Sequence, residues 1–95
     1  MSSDIIIKEN TQPAIGPYFV GVGNIWERDT PDANGVIARR MTATVAATHA
    51  STKQERTEQV FAGSVLTLGD SRYAVVDISE GHAGVGSITL RKIDR

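Results

Sequence analysis

The chain contains no cysteine. A disulfide framework, a thiolate zinc site and a cysteine nucleophile are excluded together, so the stability of these 95 residues has to come from a packed core. Long apolar runs are missing as well. Ile5, Ile6 and Ile7 make a stretch too short for a signal-peptide core or a membrane span, and no basic residue stands before them. The expected location is therefore the cytoplasm. Neither sign of charge is in excess: 10 Lys and Arg against 11 Asp and Glu give a formal net charge of -1, which removes any general attraction to nucleic acid or anionic lipid. Aromatic residues are scarce at 5%, yet hydrophobic residues at 40% and charged residues at 22% match ordinary globular usage. At this length a single core is the default, and residues 1–95 are expected to form one domain.

What the chain does have is a recurrence of Val, Ile, Thr and aromatic residues in short blocks separated by Gly, Pro, Asn, Asp or Ser. That is the spacing of strands and tight turns, and no segment carries an apolar stripe of helical period. The blocks fall at 4–10, 18–28 and 36–49, in a short strand bracketed by Gly63-Ser64 and Gly69-Asp70-Ser71 within 60–78, and at 73–79 and 84–93, with a loop at 11–17 set by Pro13, Gly16 and Pro17 and an exposed hairpin tip in the polar stretch 50–58. Residues 29–35, with Pro31 and Asn34-Gly35, form a turn, and 80–84 a glycine-rich connection. Such blocks joined by short turns predict an antiparallel, all-β fold of about six to seven strands, a small β-sandwich or a partly open β-barrel. Residues 60–78, with Leu66-Thr67-Leu68, Gly69-Asp70 and the run from Tyr73 to Ile78, are similar to many small β-barrel modules and single out none of them. Alternation places Val20, Val22, Ile37, Met41, Val45, Leu66, Leu68, Val76, Ile78, Ile88 and Leu90 in the core. Trp26 shares the parity of Val20 and Val22, and is long enough to cover Gly21 or Gly23. Arg39 interrupts an apolar row, which marks a bulge, a strand end beyond the core or a functional site.

The motifs that carry chemistry are weak. Gly21-Val22-Gly23 and Gly84-Val85-Gly86 lack the third glycine and the helix N-terminus that a dinucleotide loop needs. Taking Gly35 as the bend of a calcium loop would put Thr30 and Met41 at ligand positions, so Asp29 and Asp32 read as turn-capping residues. His49 and His82 fit no metal spacing. Ser71, His82 and Asp77 make a triad on paper, but no nucleophile elbow accompanies them. Arg28, Arg39, Arg40, Lys53, Arg56, Arg91 and Lys92 are diluted by acidic neighbours, as on an ordinary solvated surface. Catalytic residues, cofactor and metal ligands are accordingly not expected.

The expectation is a non-enzymatic protein-binding module, of which a small bacterial inhibitor or toxin-neutralising immunity protein is one case. A small-ligand or oligonucleotide-binding barrel is the alternative, and a hydrolase with an unrecognised site the third reading. The partner is expected to be a protein, a second copy of the chain included, and not nucleic acid or a membrane. Trp26, Arg28, Asp29, Arg39 and Arg40 are the candidate contact residues, because a turn at 29–35 brings their strands side by side, and Trp and Arg are favoured interface anchors. Burial of Trp26 in the core is the competing reading.

Overall fold

The computed structural model describes residues 4–31, 34–82 and 85–93, with the backbone alone at 81 and 82. The described residues form eight strands: β1 (Asp4–Lys8), β2 (Ala14–Ile15), β3 (Tyr18–Pro31), β4 (Ile37–His49), β5 (Glu55–Phe61), β6 (Val65–Leu68), β7 (Ser71–His82) and β8 (Val85–Ile93). They make two antiparallel four-stranded sheets, ordered β1-β8-β7-β6 and β2-β3-β4-β5. Every neighbour in a sheet is also a neighbour in sequence, except that β1 lies beside β8. The path is thus an up-and-down meander bent into a ring and left open at two seams, β1/β2 and β5/β6, which is the all-β sandwich or partly open barrel expected.

Among the described residues no ladder spans either seam. Just past β1, the Glu9 amide donates to the Gly86 carbonyl (2.9 Å) and the Gly86 amide donates to Glu9 Oε1 (2.8 Å), which extends the β1–β8 pairing within one sheet. Across the β5/β6 seam, Arg56 Nη2 donates to the Thr67 carbonyl at 3.3 Å. Ile7, Leu66, Val75, Ile88 and Leu90 from one sheet meet Val20, Val45 and Val60 from the other in a fully buried core. Of the residues expected there, Val20, Val22, Val45, Leu66, Leu68, Ile78, Ile88 and Leu90 are buried, and Met41 is partly buried against them. Two are not: Val76 is 40% exposed and Ile37 69% exposed.

Both departures have a structural cause. In β7 the register passes from Val75↔Leu90 to Asp77↔Thr89, so Val76 is an extra residue, and the inward set changes from Tyr73 and Val75 to Ile78. Ile37 keeps its parity but lies on a part of β4 that has run past the core, where Ala38 and Arg39 are exposed too. The expected turn at 29–35 is also shorter, because β3 continues to Pro31; Asp32 lies outside the described residues. The 11–17 loop contains the two-residue strand β2, and β7 extends into the expected 80–84 connection.

A second bulge shapes β3. Its register jumps from Gly23↔Thr44 to Trp26↔Thr42, leaving Asn24 and Ile25 opposite Ala43. Asn24 has φ 51°, the left-handed region that Asn tolerates better than most residues. Beyond it Ile25, not Trp26, continues the inward row of Val20 and Val22 and packs against the core. Ile25 reaches across to the other sheet at Gly86: a Cβ there would lie 2.7 Å from Ile25 Cδ1 and 2.7 Å from the Ser79 carbonyl oxygen, so only glycine fits.

At the ring closure Arg91 grips Asp4, its register partner, through Nε (2.9 Å to Oδ1) and Nη2 (3.2 Å to Oδ2). This hydrogen-bonded pairing holds the Asp4 carboxyl below its ordinary value of 3.8.

Two measurements check this arrangement. Val75→Ala should cost roughly 2 kcal/mol in denaturant unfolding, from lost methyl burial plus a residual cavity. Val76→Ala should stay within about 0.5 kcal/mol, and the reverse order would place the β7 bulge elsewhere. A carboxyl whose folded value is depressed stabilises above the unfolded value and loses that contribution as pH falls through the folded one. Asp4→Asn should therefore lower the thermal midpoint at neutral pH, with the difference from the parent closing as pH drops below 3.8.

Candidate functional site

The overhanging hairpin of β3 and β4 carries all five residues singled out in the sequence, and its ladder pairs Arg28 with Arg40 and Asp29 with Arg39. Directly paired residues share a face, so the five do not form one patch. Trp26, Arg28 and Arg40 lie on the outer face. Asp29 and Arg39 lie on the face continuous with the core side. There Arg39 sits between Glu27 and Asp29, each 3.7 Å away and all three well exposed, an arrangement worth little to stability. The charge of Arg39 on an apolar parity thus marks a strand end beyond the core. The bulge is on the partner strand.

On the outer face, Trp26, Thr42 and Phe61 form a row across β3, β4 and β5, with the Arg28–Arg40 pair as the next row. Like charges directly opposed in a sheet repel. Here each guanidinium is drawn over an aromatic ring: Arg28 lies 4.6 Å from the Trp26 ring centre and Arg40 5.4 Å from that of Phe61, within cation–π range. Arg40 is anchored further by donating from Nε to the Thr30 carbonyl (3.2 Å). Arg28 Nε, by contrast, is buried with no hydrogen-bond partner among the described residues. Thr42 beneath is fully buried and donates its hydroxyl to the Trp26 carbonyl at 3.0 Å. Trp26 itself is 46% exposed. The bulge at Asn24 and Ile25 turned it outward, against the inward reading of its parity. The Gly23-Asn24 pair was the available signal, since a glycine within a strand often marks a bulge. Phe61, absent from the sequence-derived set, joins the face through the register of β5.

Beside this row the outer face holds an open cleft of about 590 Å³. Gly21, Gly23, Thr44 and Ala46 line it together with Asn24 and the 10–12 segment. Trp26 does not cover the glycines: nothing lies within 4 Å of where a Cβ on Gly23 would be, and Gly21 is approached instead by Gln12.

The other candidates do not converge. Ser71 and Asp77 sit six residues apart on β7, about 20 Å along an extended strand. The side chain of His82 lies outside the described residues. His49 caps the turn between β4 and β5, its Nδ1 accepting from the amides of Ser51 (3.2 Å) and Thr52 (3.3 Å), with Tyr18 edge-on at 5.1 Å. Arg56 is committed to the seam, and Arg91 and Lys92 lie in the other sheet, so the basic residues form no single surface. Among the described residues no three His, Cys, Asp or Glu side chains come together as a metal site, and no helix is long and apolar enough to cross a membrane. No protein-family model matches the chain, and neither does any curated protein or solved structure.

Trp26 is the only tryptophan, so its fluorescence reports on this face alone. The folded protein should emit close to the wavelength of its unfolded chain and be readily quenched by acrylamide. A blue-shifted, quencher-resistant emission would return Trp26 to the core.

Proposed function

We propose that this domain is a non-enzymatic protein-binding module whose contact surface is the outer face of the β3–β4 hairpin, centred on Trp26, Arg28, Arg40 and Phe61. The observation that carries this reading is the exposure of Trp26, turned to solvent by a bulge and stacked by Arg28 on a hairpin that projects past the core. Large aromatic and guanidinium groups held in fixed geometry lose little conformational freedom on association, which is why such residues dominate binding energy. The guanidiniums of Arg28 and Arg40, each held over an aromatic ring, favour a partner that presents carboxylates beside an apolar surface. The small size and the absence of convergent chemistry among the described candidates suit a cytoplasmic inhibitor, of the kind that neutralises a toxin by covering it.

Affinity capture with the tagged chain from its native cells, followed by mass spectrometry, should recover one stoichiometric protein. With that partner in hand, Arg28→Ala and Arg40→Ala should each weaken binding by about tenfold or more, the behaviour of interface hot spots. Arg39→Ala, on the opposite face, should change it little. Arg28→Lys keeps the charge and loses the planar stack, so it should behave as Arg28→Ala does. Thermal midpoints measured in parallel separate lost contact from lost fold. Unchanged affinity in folded Arg28→Ala and Arg40→Ala proteins would move the interface elsewhere.

A further inference from the structure

We infer that the cleft over Gly21 and Gly23 is a second binding site, and that its ligand is a neutral, polyhydroxylated chain, an oligosaccharide. The first ground is Gly23 itself. Its φ lies outside the left-handed region, and a Cβ there would meet nothing within 4 Å, so neither backbone conformation nor packing requires glycine. A strand glycine marks a bulge, as here, or a place where another molecule approaches the backbone closely, and the open space above Gly23 leaves room for the second use beside the first.

The second ground is the chemistry of the walls. Among the described residues no Asp, Glu, Lys or Arg lines the cleft. The polar residues of the lining are Asn10, Gln12 and Asn24, with side-chain amides, and Thr11 and Thr44, with hydroxyls. Side-chain amides donate and accept at once, which suits vicinal hydroxyl groups that do the same. The ends of the strip supply the third ground. Along the outer face of β3, Phe19 stands one step beyond Gly21, and Trp26 follows Gly23 across the bulge; they are 44% and 46% exposed. Their partners on β4, Thr48 and Thr42, are six residues apart, placing the two rings about 20 Å from one another along the face. Neither ring lines the cleft itself; they are the exposed apolar groups on the same strand face beyond its two ends, where a longer chain lying in the cleft would meet them.

Other occupants fit less well. A peptide strand adds at an edge in the plane of the sheet, whereas this cleft lies over a face whose β4 floor is already laddered to β3 and β5. A nucleic acid needs cations along its track, and the described lining residues supply none. The inference does not rest on the protein-binding reading: Trp26 borders both surfaces, but Gly23 and Gln12 belong to the cleft alone and Arg28 and Arg40 to the hairpin face alone.

The test is an amide NMR titration of the full chain with soluble tetrasaccharides of glucose in β-1,4, β-1,3 and α-1,4 linkage and of N-acetylglucosamine in β-1,4 linkage. At least one should give saturable, millimolar-or-better shifts at Gly21, Gly23 and the side-chain amides of Gln12 and Asn24. Gly23→Leu, which fills the cleft from open space, should weaken that binding by about tenfold or more while the thermal midpoint holds or rises. Gln12→Ala, outside every strand, should weaken it without touching the floor. No saturable shift with any of the four sugars overturns the inference, as does sugar binding that survives Gly23→Leu. Arg28→Ala should leave the sugar titration unchanged. Loss of partner capture in that variant, with no sugar bound by the parent, would leave the protein-binding reading standing alone.

Discussion

Two residues of β3 facing one residue of β4 set most of what is particular to this domain. Strand side chains alternate with a period of two, so a single extra residue exchanges the inner and outer sets for the rest of the strand. At Asn24 and Ile25 that exchange sends Ile25 inward, where it reaches Gly86 of the opposite sheet, and sends Trp26 outward. The same event therefore ties the two sheets together and creates the exposed aromatic face. Gly86 is held by Glu9 just past the end of β1, which links the bulge to the point where the chain leaves the first sheet. A change that straightened β3 would loosen the sheet-to-sheet contact and bury the functional candidate in one stroke.

The polar network complements this packing. Thr42 is fully buried yet carries a hydroxyl, and the carbonyl of Trp26 satisfies it. That bond fixes the strand backbone directly beneath the ring and so limits how far the ring can tilt. Arg28 and Arg40 would repel across the ladder if left upright, and lie over Trp26 and Phe61 instead. The result is a rigid, flat, cationic surface made from a pairing that is unfavourable in itself.

The class of the fold was readable from the residues because β-branched alternation and turn chemistry are local signals. Gly69-Asp70 closes β6 onto β7 where the residue types demand a tight turn, and the inward row Leu66, Leu68, Ile78, Ile88 and Leu90 follows from strict alternation. Alternation fails where an extra residue intrudes, as at Val76, where the residue types carry no sign of the bulge, and at Trp26, where Gly23-Asn24 is the one sign of it. Ile37 misled for another reason: how far a hairpin outruns the sheet beneath it depends on the length of distant strands. The candidate site was half readable. Pairing across the 29–35 turn was foreseeable, whereas the division of Trp26, Arg28 and Arg40 from Asp29 and Arg39 needed the register, and Phe61 needed the next strand over.

The placement of β1 beside β8 has a consequence for how the domain comes into being. β1 has its ladder partner in β8, about 80 residues further along the chain, so Ile7 cannot reach its final surroundings until β8 has been made. Pairings between such remote segments carry a high loop-closure cost and slow the search for the native state. The β3–β4–β5 and β6–β7–β8 meanders can each form from local contacts, but neither is sealed before the ends meet. Nascent chains of this domain thus carry an incomplete ring with exposed strand edges, and protection of those edges during synthesis becomes part of its folding problem.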